Sequence, residues 1–244
     1  MHEEGGLKGR TVYWAIGIGG VLIAAAIITL YTPWLGLFNL RVIVVRGNHH
    51  ITAEEAARVS GLRNGGPLAR LPIRRAEMAL ETLPWVKQAK ITRVYPHTVR
   101  ITITERIPIA ALQRPDGHSY LVIGADGVIV AEKEEVDYLI VDGVSVTAAR
   151  PGGRVRDPKA IATLACLREK GFDAFTRVDF SDPTGVVLHS PSGAKVLLGP
   201  VAGACARIEE LAALLPTINL ADYRSIDLRF GGEAILVPSK VVNR

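Results

Sequence analysis

Cysteine is nearly absent from this sequence. Cys166 and Cys205 are the only two among 244 residues, which excludes a disulfide-stapled miniature scaffold and any cysteine-rich zinc site. Long runs of one charge are missing too. The formal charge is +5, but Lys and Arg are scattered and no basic stretch tracks a phosphate backbone, so nucleic acid is not an expected partner. No Gly-x-Ser-x-Gly or His-Glu-x-x-His string occurs. Ser190 and Lys195 lie near each other, in a strand-turn-strand pattern that needs no nucleophile to explain it. His49-His50 has no third ligand close in sequence and reads as a solvated turn; His97, His118 and His189 read as surface residues beside turns. Gly17, Gly19 and Gly20 do not follow a strand, which excludes a phosphate cradle. The sequence therefore predicts no catalytic residue, no cofactor, no metal site and no small-molecule substrate.

Hydrophobic residues make up 48% and charged residues 22%, a globular balance that excludes wholesale disorder. The mean hydropathy of +0.24 is high because one segment raises it. Residues 12–31 carry no charge. As a helix rising ~1.5 Å per residue, ~20 residues span roughly 30 Å, the hydrocarbon thickness of a bilayer. Val12, Tyr13 and Trp14 open the run and Tyr31 closes it, with Trp34 just beyond; amphipathic rings favour the two interfaces. Lys8 and Arg10 before the run predict a cytoplasmic N-terminus. Ala24 to Ala26 offer small residues for signal cleavage, but the run continues through Ile27, Ile28 and Leu30, so an uncleaved anchor is the expectation. Ala15/Gly19 and Gly20/Ala24 are small residues four apart, a spacing that permits helix pairing but is also common in spanning helices.

After the anchor, residues 40–46 are β-rich and end at Gly47-Asn48. Thr52 and Glu55 make a capping box for a helix over Ala53–Ser60 that stops at Gly61. Pro72 opens a second helix to about Leu83. A strand runs from Pro84-Trp85-Val86 to Tyr95, and Pro96-His97 turns the chain. Thr98–Glu105 alternates cleanly: Val99, Ile101 and Ile103 face one way and Thr98, Arg100, Thr102 and Thr104 the other. The order is β-α-α-β-β. Arg74-Arg75 reads as a solvated helix face, with attraction of an acidic partner or lipid headgroups as the alternative.

The following stretch predicts short strands near 109–113, 120–123, 128–131, 139–141, 178–180, 185–189 and 194–198, and two helices. One helix covers 158–170, capped by Asp157 and stopped by Gly171; the other covers 204–215 and ends at Pro216. A last hairpin pairs 225–229 with 233–237 around Gly231-Gly232. Each cysteine falls on a predicted helix among apolar residues and reads as a small buried hydrophobe; the sequence does not decide whether they pair.

These residues carry a resemblance. Phe38 with Val42 to Gly47-Asn48, Pro84-Trp85-Val86, Arg93-Val94-Tyr95-Pro96 and Glu105-Arg106-Ile107-Pro108-Ile109-Ala110 resemble, in that order, the FtsQ/DivIB family of bacterial cell-division proteins, whose first extracytoplasmic module is a POTRA domain. Asp126-Gly127, Val196 to Gly199 and Ile226-Asp227-Leu228-Arg229 resemble the family's β-domain. The resemblance implies an α+β protein: a cytoplasmic tail (1–11), a single-pass transmembrane helix (12–31), a POTRA domain (38–106), a mostly antiparallel β-domain with two helices (107–238) and a C-terminal tail (239–244). It implies a non-enzymatic divisome scaffold of the inner membrane, at the septum, with its body outside the cytoplasm. It binds FtsB- and FtsL-like subunits and helps control septal peptidoglycan synthesis. Sheet edges accept added strands, and the resemblance puts the partner site on Arg229, Phe230, Glu233, Ala234, Ile235, Leu236 and Val237. The strand from Val86 to Tyr95 is a second expected edge. A POTRA chaperone of an outer-membrane transporter, which needs a long barrel downstream, and an anchored periplasmic enzyme are the alternative readings.

Overall fold

The computed structural model describes residues 19–28, 37–114, 117–171 and 174–239. Residues 19–28 form helix α1, on which Val21, Leu22, Ile23, Ile27 and Ile28 are all more than half exposed. The rest of the expected span, with Val12, Tyr13, Trp14 and Tyr31, lies outside the described residues. Among the described residues no helix is long and apolar enough to cross a membrane: ten helical residues rise only ~15 Å.

The next region forms the expected β-α-α-β-β order: β1 (Val42–Arg46), α2 (Ala53–Ser60), α3 (Ile73–Leu80), β2 (Val86–Val94) and β3 (Thr98–Glu105). Thr52 caps α2, its Oγ1 accepting the Glu55 N–H at 3.1 Å, and Gly61 ends the helix at φ 66°. The three-stranded sheet has β3 in the centre, β1 parallel to it and β2 antiparallel. Period-2 alternation decides which face is dry: Val99, Ile101 and Ile103 are buried with Ala76 and Leu80 of α3 and Ala56 of α2, while Arg100, Thr102 and Thr104 are exposed. α3 stops three residues before the expected Leu83. There Thr82 and Leu83 turn their N–H groups to Ala79 and Leu80, tightening the chain into β2.

The chain then builds one nine-stranded sheet from β4 (Pro108–Gln113), β5 (Tyr120–Gly124), β6 (Ile129–Lys133), β7 (Leu139–Asp142), β8 (Arg177–Asp179), β9 (Val186–His189), β10 (Lys195–Gly199), β11 (Tyr223–Asp227) and β12 (Ile235–Pro238). Its order is β12-β11-β10-β9-β8-β7-β4-β5-β6. Helices α4 (Pro158–Glu169) and α5 (Ala204–Leu214) carry the chain from β7 to β8 and from β10 to β11. Both of those strand pairs are parallel, as is β4 with β7, so the sheet is antiparallel in most but not all pairs. Leu164, Leu167, Ile208 and Leu211 of the helices share one core with Val178, Leu188, Val196 and Ile226 of the strands. The cysteines correct the expectation of two small buried hydrophobes: Cys166 and Cys205 form a disulfide across α4 and α5, with Cα atoms 5.8 Å apart. Each helix was visible in the sequence; only their packing side by side brings the thiols together.

Arg106 joins the two regions. Its side chain is 9% exposed and donates to the carbonyls of Pro84 and Val86 in the first region. It also pairs with Asp126 of the second at 2.8 Å. Burial would raise the Asp126 pKa, but the hydrogen bond and charge of Arg106 outweigh it and hold the carboxyl below its ordinary value.

Candidate partner-binding edge

β12 lies at one margin of the nine-stranded sheet, and among the described residues no strand lies beyond it. The other margin, at β6, is partly covered. Ile129 N–H donates to Gly153 O at 2.8 Å, Gly152 N–H donates to Ile129 O at 2.8 Å, and Val128 bridges Arg154.

The register shows which backbone groups of β12 face outward. Leu228 N–H donates to Leu197 O at 3.0 Å, so the backbone groups of Ile226 and Leu228 turn to β10. Strand residues alternate, so Ser225 and Asp227 turn to β12, where they oppose Val237 and Ile235. Ile235 and Val237 therefore use their N–H and C=O on β11, and those of Leu236 face the open side. Side chains alternate independently: Leu236 packs against the core, and Ile235 and Val237 are among the exposed large hydrophobics. Glu233 and Ala234, expected in the strand, precede it, because the Gly231-Gly232 turn with both residues at positive φ carries the chain further before pairing begins.

Arg229 and Phe230 stand at the turn. Arg229 forks onto Asp227, Nε at 2.9 Å from Oδ1 and Nη2 at 2.6 Å from Oδ2, and its guanidinium lies 5.7 Å from the Phe230 ring centre. That hydrogen bond holds the Asp227 carboxyl below its ordinary pKa. The Arg229 stem crosses Gly199, where an added Cβ would lie 2.9 Å from Arg229 Cγ. Phe230 is 58% exposed. Beside these residues a groove of about 270 Å³ opens between α5 and the turn, lined by Ala213, Leu214, Thr217, Leu228, Gly232 and Ala234 with Glu210 and Glu233. The structure thus brings the seven sequence-predicted residues into one hairpin. Arg229 is already in an ion pair, and only three of the five residues 233–237 lie in the strand.

The second expected edge, β2, is occupied. Ala89 N–H donates to Glu81 Oε1 at 3.2 Å and Ile91 N–H to Glu77 Oε1 at 2.8 Å, so the carboxylates of Glu77 in α3 and Glu81 just after it cover two outward N–H groups. Sequence reading missed this. The signal was two acidic residues one helical turn apart in the segment that precedes an edge strand.

The His49-His50 turn is exposed, as expected, but its residues also have partners. The His50 ring stacks on Trp85 with centres 3.7 Å apart, and its Nδ1 lies 2.7 Å from Glu105 Oε2. Glu105 also accepts the N–H groups of His49 and His50. Burial would raise the Glu105 pKa, but these hydrogen bonds outweigh it and lower it. Among the described residues no group of three or more His, Cys, Asp or Glu is placed to hold a metal ion. A larger cavity of about 700 Å³ lies at the end of α4, lined mainly by Ile109, Leu139, Leu164, Leu167, Arg168 and Thr176.

A family model described as "POTRA domain, FtsQ-type" matches residues 38–106. The chain is 28% identical over 179 residues to the cell division protein FtsQ of Mycobacterium leprae, an alignment that covers 72% of this chain and 50% of that one. It is 24% identical over 188 residues to the FtsQ of Corynebacterium glutamicum, covering 76% and 82%. To the FtsQ of Mycobacteroides abscessus it is 25% identical over 210 residues, covering 82% and 60%. It therefore spans about half the length of the first of these relatives and most of the second. An FtsQ-type POTRA domain after the apolar segment and similarity to FtsQ proteins over most of the chain support the FtsQ/DivIB family of bacterial cell-division proteins.

Proposed function

We propose that this protein is a non-enzymatic divisome scaffold. Residues 12–31 anchor it in the cytoplasmic membrane, with residues 1–11 inside. A POTRA domain (38–106) and a β-domain (107–238) stand outside, followed by a short tail (239–244). At the septum it binds small coiled-coil subunits of the FtsB and FtsL kind and helps assemble and control septal peptidoglycan synthesis. The cell-division relatives support the process, and the Cys166–Cys205 disulfide supports an oxidising compartment for the body.

The observation that carries the partner-binding reading is the margin of β12, with Leu236 N–H and C=O outward beside exposed Phe230, Ile235 and Val237. A partner segment adds there as a strand; Arg and aromatic residues are favoured anchors. The test is an amide-to-ester substitution at Leu236, which removes one N–H and keeps the side chain. Pull-down of an FtsB-type partner by the full chain should weaken by about 1 kcal/mol, roughly fivefold. The same change at Ile235 acts on the bond to β11 and should lower hairpin stability instead. Native affinity with the Leu236 ester, in a protein folded by circular dichroism, would sink strand addition. Arg229→Glu places a second carboxylate beside Asp227, and its effect on binding should shrink as salt rises.

A further inference from the structure

β1 and β3 run parallel, so both begin at the end of the three-stranded sheet where β2 finishes: Val42 and Val94 each oppose Thr98. The chain arrives at this leading end. Arg41 N–H donates to His97 O at 2.9 Å, and Phe38 O accepts the Leu68 N–H at 2.9 Å. The far end carries Glu105 and Arg106 and hands the chain to the nine-stranded sheet.

The leading end is apolar where it meets its surroundings. Leu37, Phe38 and Tyr95 are 56%, 49% and 60% exposed. The rings of Phe38 and Tyr95 meet edge to face with centres 6.2 Å apart, and exposed Arg41 sits next to the 95–97 turn through its bond to His97. Two aromatics, one with a hydroxyl, a leucine and an arginine match the chemistry of a membrane interface, where rings lie at headgroup level and guanidinium groups meet phosphates.

We propose that Leu37, Phe38 and Tyr95, with Arg41 beside them, rest in the headgroup region of the membrane that holds α1. The proposal rests on the anchored reading above. Chain length supports the bilayer as the occupant. The proposed span ends at Tyr31, and the six steps from there to Leu37 reach at most roughly 21 Å even fully extended. The leading end therefore stays close to the bilayer surface. Seating it there turns the far end of the sheet, and the nine-stranded sheet attached to it, away from the bilayer.

The experiment uses the full chain in nanodiscs of phosphatidylethanolamine and phosphatidylglycerol. The native cysteines are paired, so one introduced thiol takes a nitroxide label. Four variants are compared: Ile23→Cys, Leu37→Cys, Tyr95→Cys and Thr102→Cys. Collisions with oxygen report lipid, and collisions with a water-soluble nickel chelate report water. The labels at Leu37 and Tyr95 should lose nickel collisions several-fold relative to the label at exposed Thr102, with oxygen collisions between those at Ile23 and those at Thr102. Leu37→Cys leaves the Phe38–Tyr95 contact intact and guards against its loss. Nickel collisions at Leu37 and Tyr95 equal to those at Thr102, with Ile23 in lipid, would overturn the proposal and leave the anchor standing. Loss of both collision types would mean cover by protein, such as a second copy, and would also overturn it. Nickel access at Ile23 would overturn the anchor and the proposal together.

Discussion

At the outer side of β2, the N–H groups of Ala89 and Ile91 are taken by Glu81 and Glu77. At the outer side of β12, Leu236 presents its backbone outward and Ile235 and Val237 stay exposed around it. Both strands sit at sheet margins, and sheet margins invite pairing with other chains. One is covered by carboxylates at and just beyond the end of α3, so the carbonyls of an incoming strand find those N–H donors already satisfied. The other has an apolar groove and an aromatic residue beside it. Position at an edge is therefore not enough to mark a docking strand; what the edge N–H groups already bind separates the two. The regions also differ in how their helices are held. α2 and α3 are held without a covalent link, whereas α4 and α5 are cross-linked by Cys166–Cys205.

The largest expected effect tests the core that supports the covered edge. Ile101 is fully buried, and Ile101→Asp forfeits roughly 2–3 kcal/mol of burial and adds an unpaired buried charge. The first region should unfold, while Thr102→Asp on the wet face should be mild; circular dichroism with urea titration reads both. Equal effects would refute the facing of β3.

Reducing Cys166–Cys205 should come next. The bridged residues are 39 apart in sequence, and the loop-closure relation gives about 4 kcal/mol. A urea titration with and without reductant should show the nine-stranded region losing most of that stability. A first region that loses as much would show that the two unfold as one unit through Arg106.

Uncovering β2 sharpens the contrast of edges. Glu77→Ala with Glu81→Ala removes two charge-assisted hydrogen bonds at a partly exposed site, worth roughly 1–2 kcal/mol together. The exposed edge should then self-associate, which sedimentation velocity over a concentration series would detect. A variant that stays monomeric would mean that the carboxylates do not guard that edge.

The smallest effect is the pH response of the first region. Glu105 has its pKa lowered from 4.5 by hydrogen bonds that outweigh burial, so its stabilisation is present above the unfolded value and is lost as pH falls through the lower folded value. Glu105→Gln should cost at most about 1 kcal/mol at neutral pH, and the gap to the native protein should close as pH falls through the lowered folded value. Thermal melts of both proteins across that range decide it; a gap unchanged at low pH would mean that the Glu105 charge contributes nothing.

Much of the fold was legible because local chemistry set it. Thr52, Gly61, Asp157 and Gly171 bound their helices where caps and stops predict, and the alternation through Thr98–Glu105 named the buried face. Helix α3 was read too long because Leu83 continues the apolar period while its N–H turns to Leu80. The strand β12 was placed two residues early because Glu233 and Ala234 fit a strand but lie before the first pair with β11. The contacts of the exposed His49-His50 turn were not legible because its partners Trp85 and Glu105 are distant in sequence.

The sequence by itself determined the uncharged segment, the β-α-α-β-β order, the positions of the helices behind it and the last hairpin, since each depends on periodicity, caps and turn residues within a few positions. Only the tertiary structure decided which thiols pair, that Arg106 bridges the two regions, and that Glu77 and Glu81 cover β2 while Leu236 faces outward. Those outcomes depend on groups brought together across tens of residues, and on which side of a strand each amide points, a choice fixed by register with a neighbour.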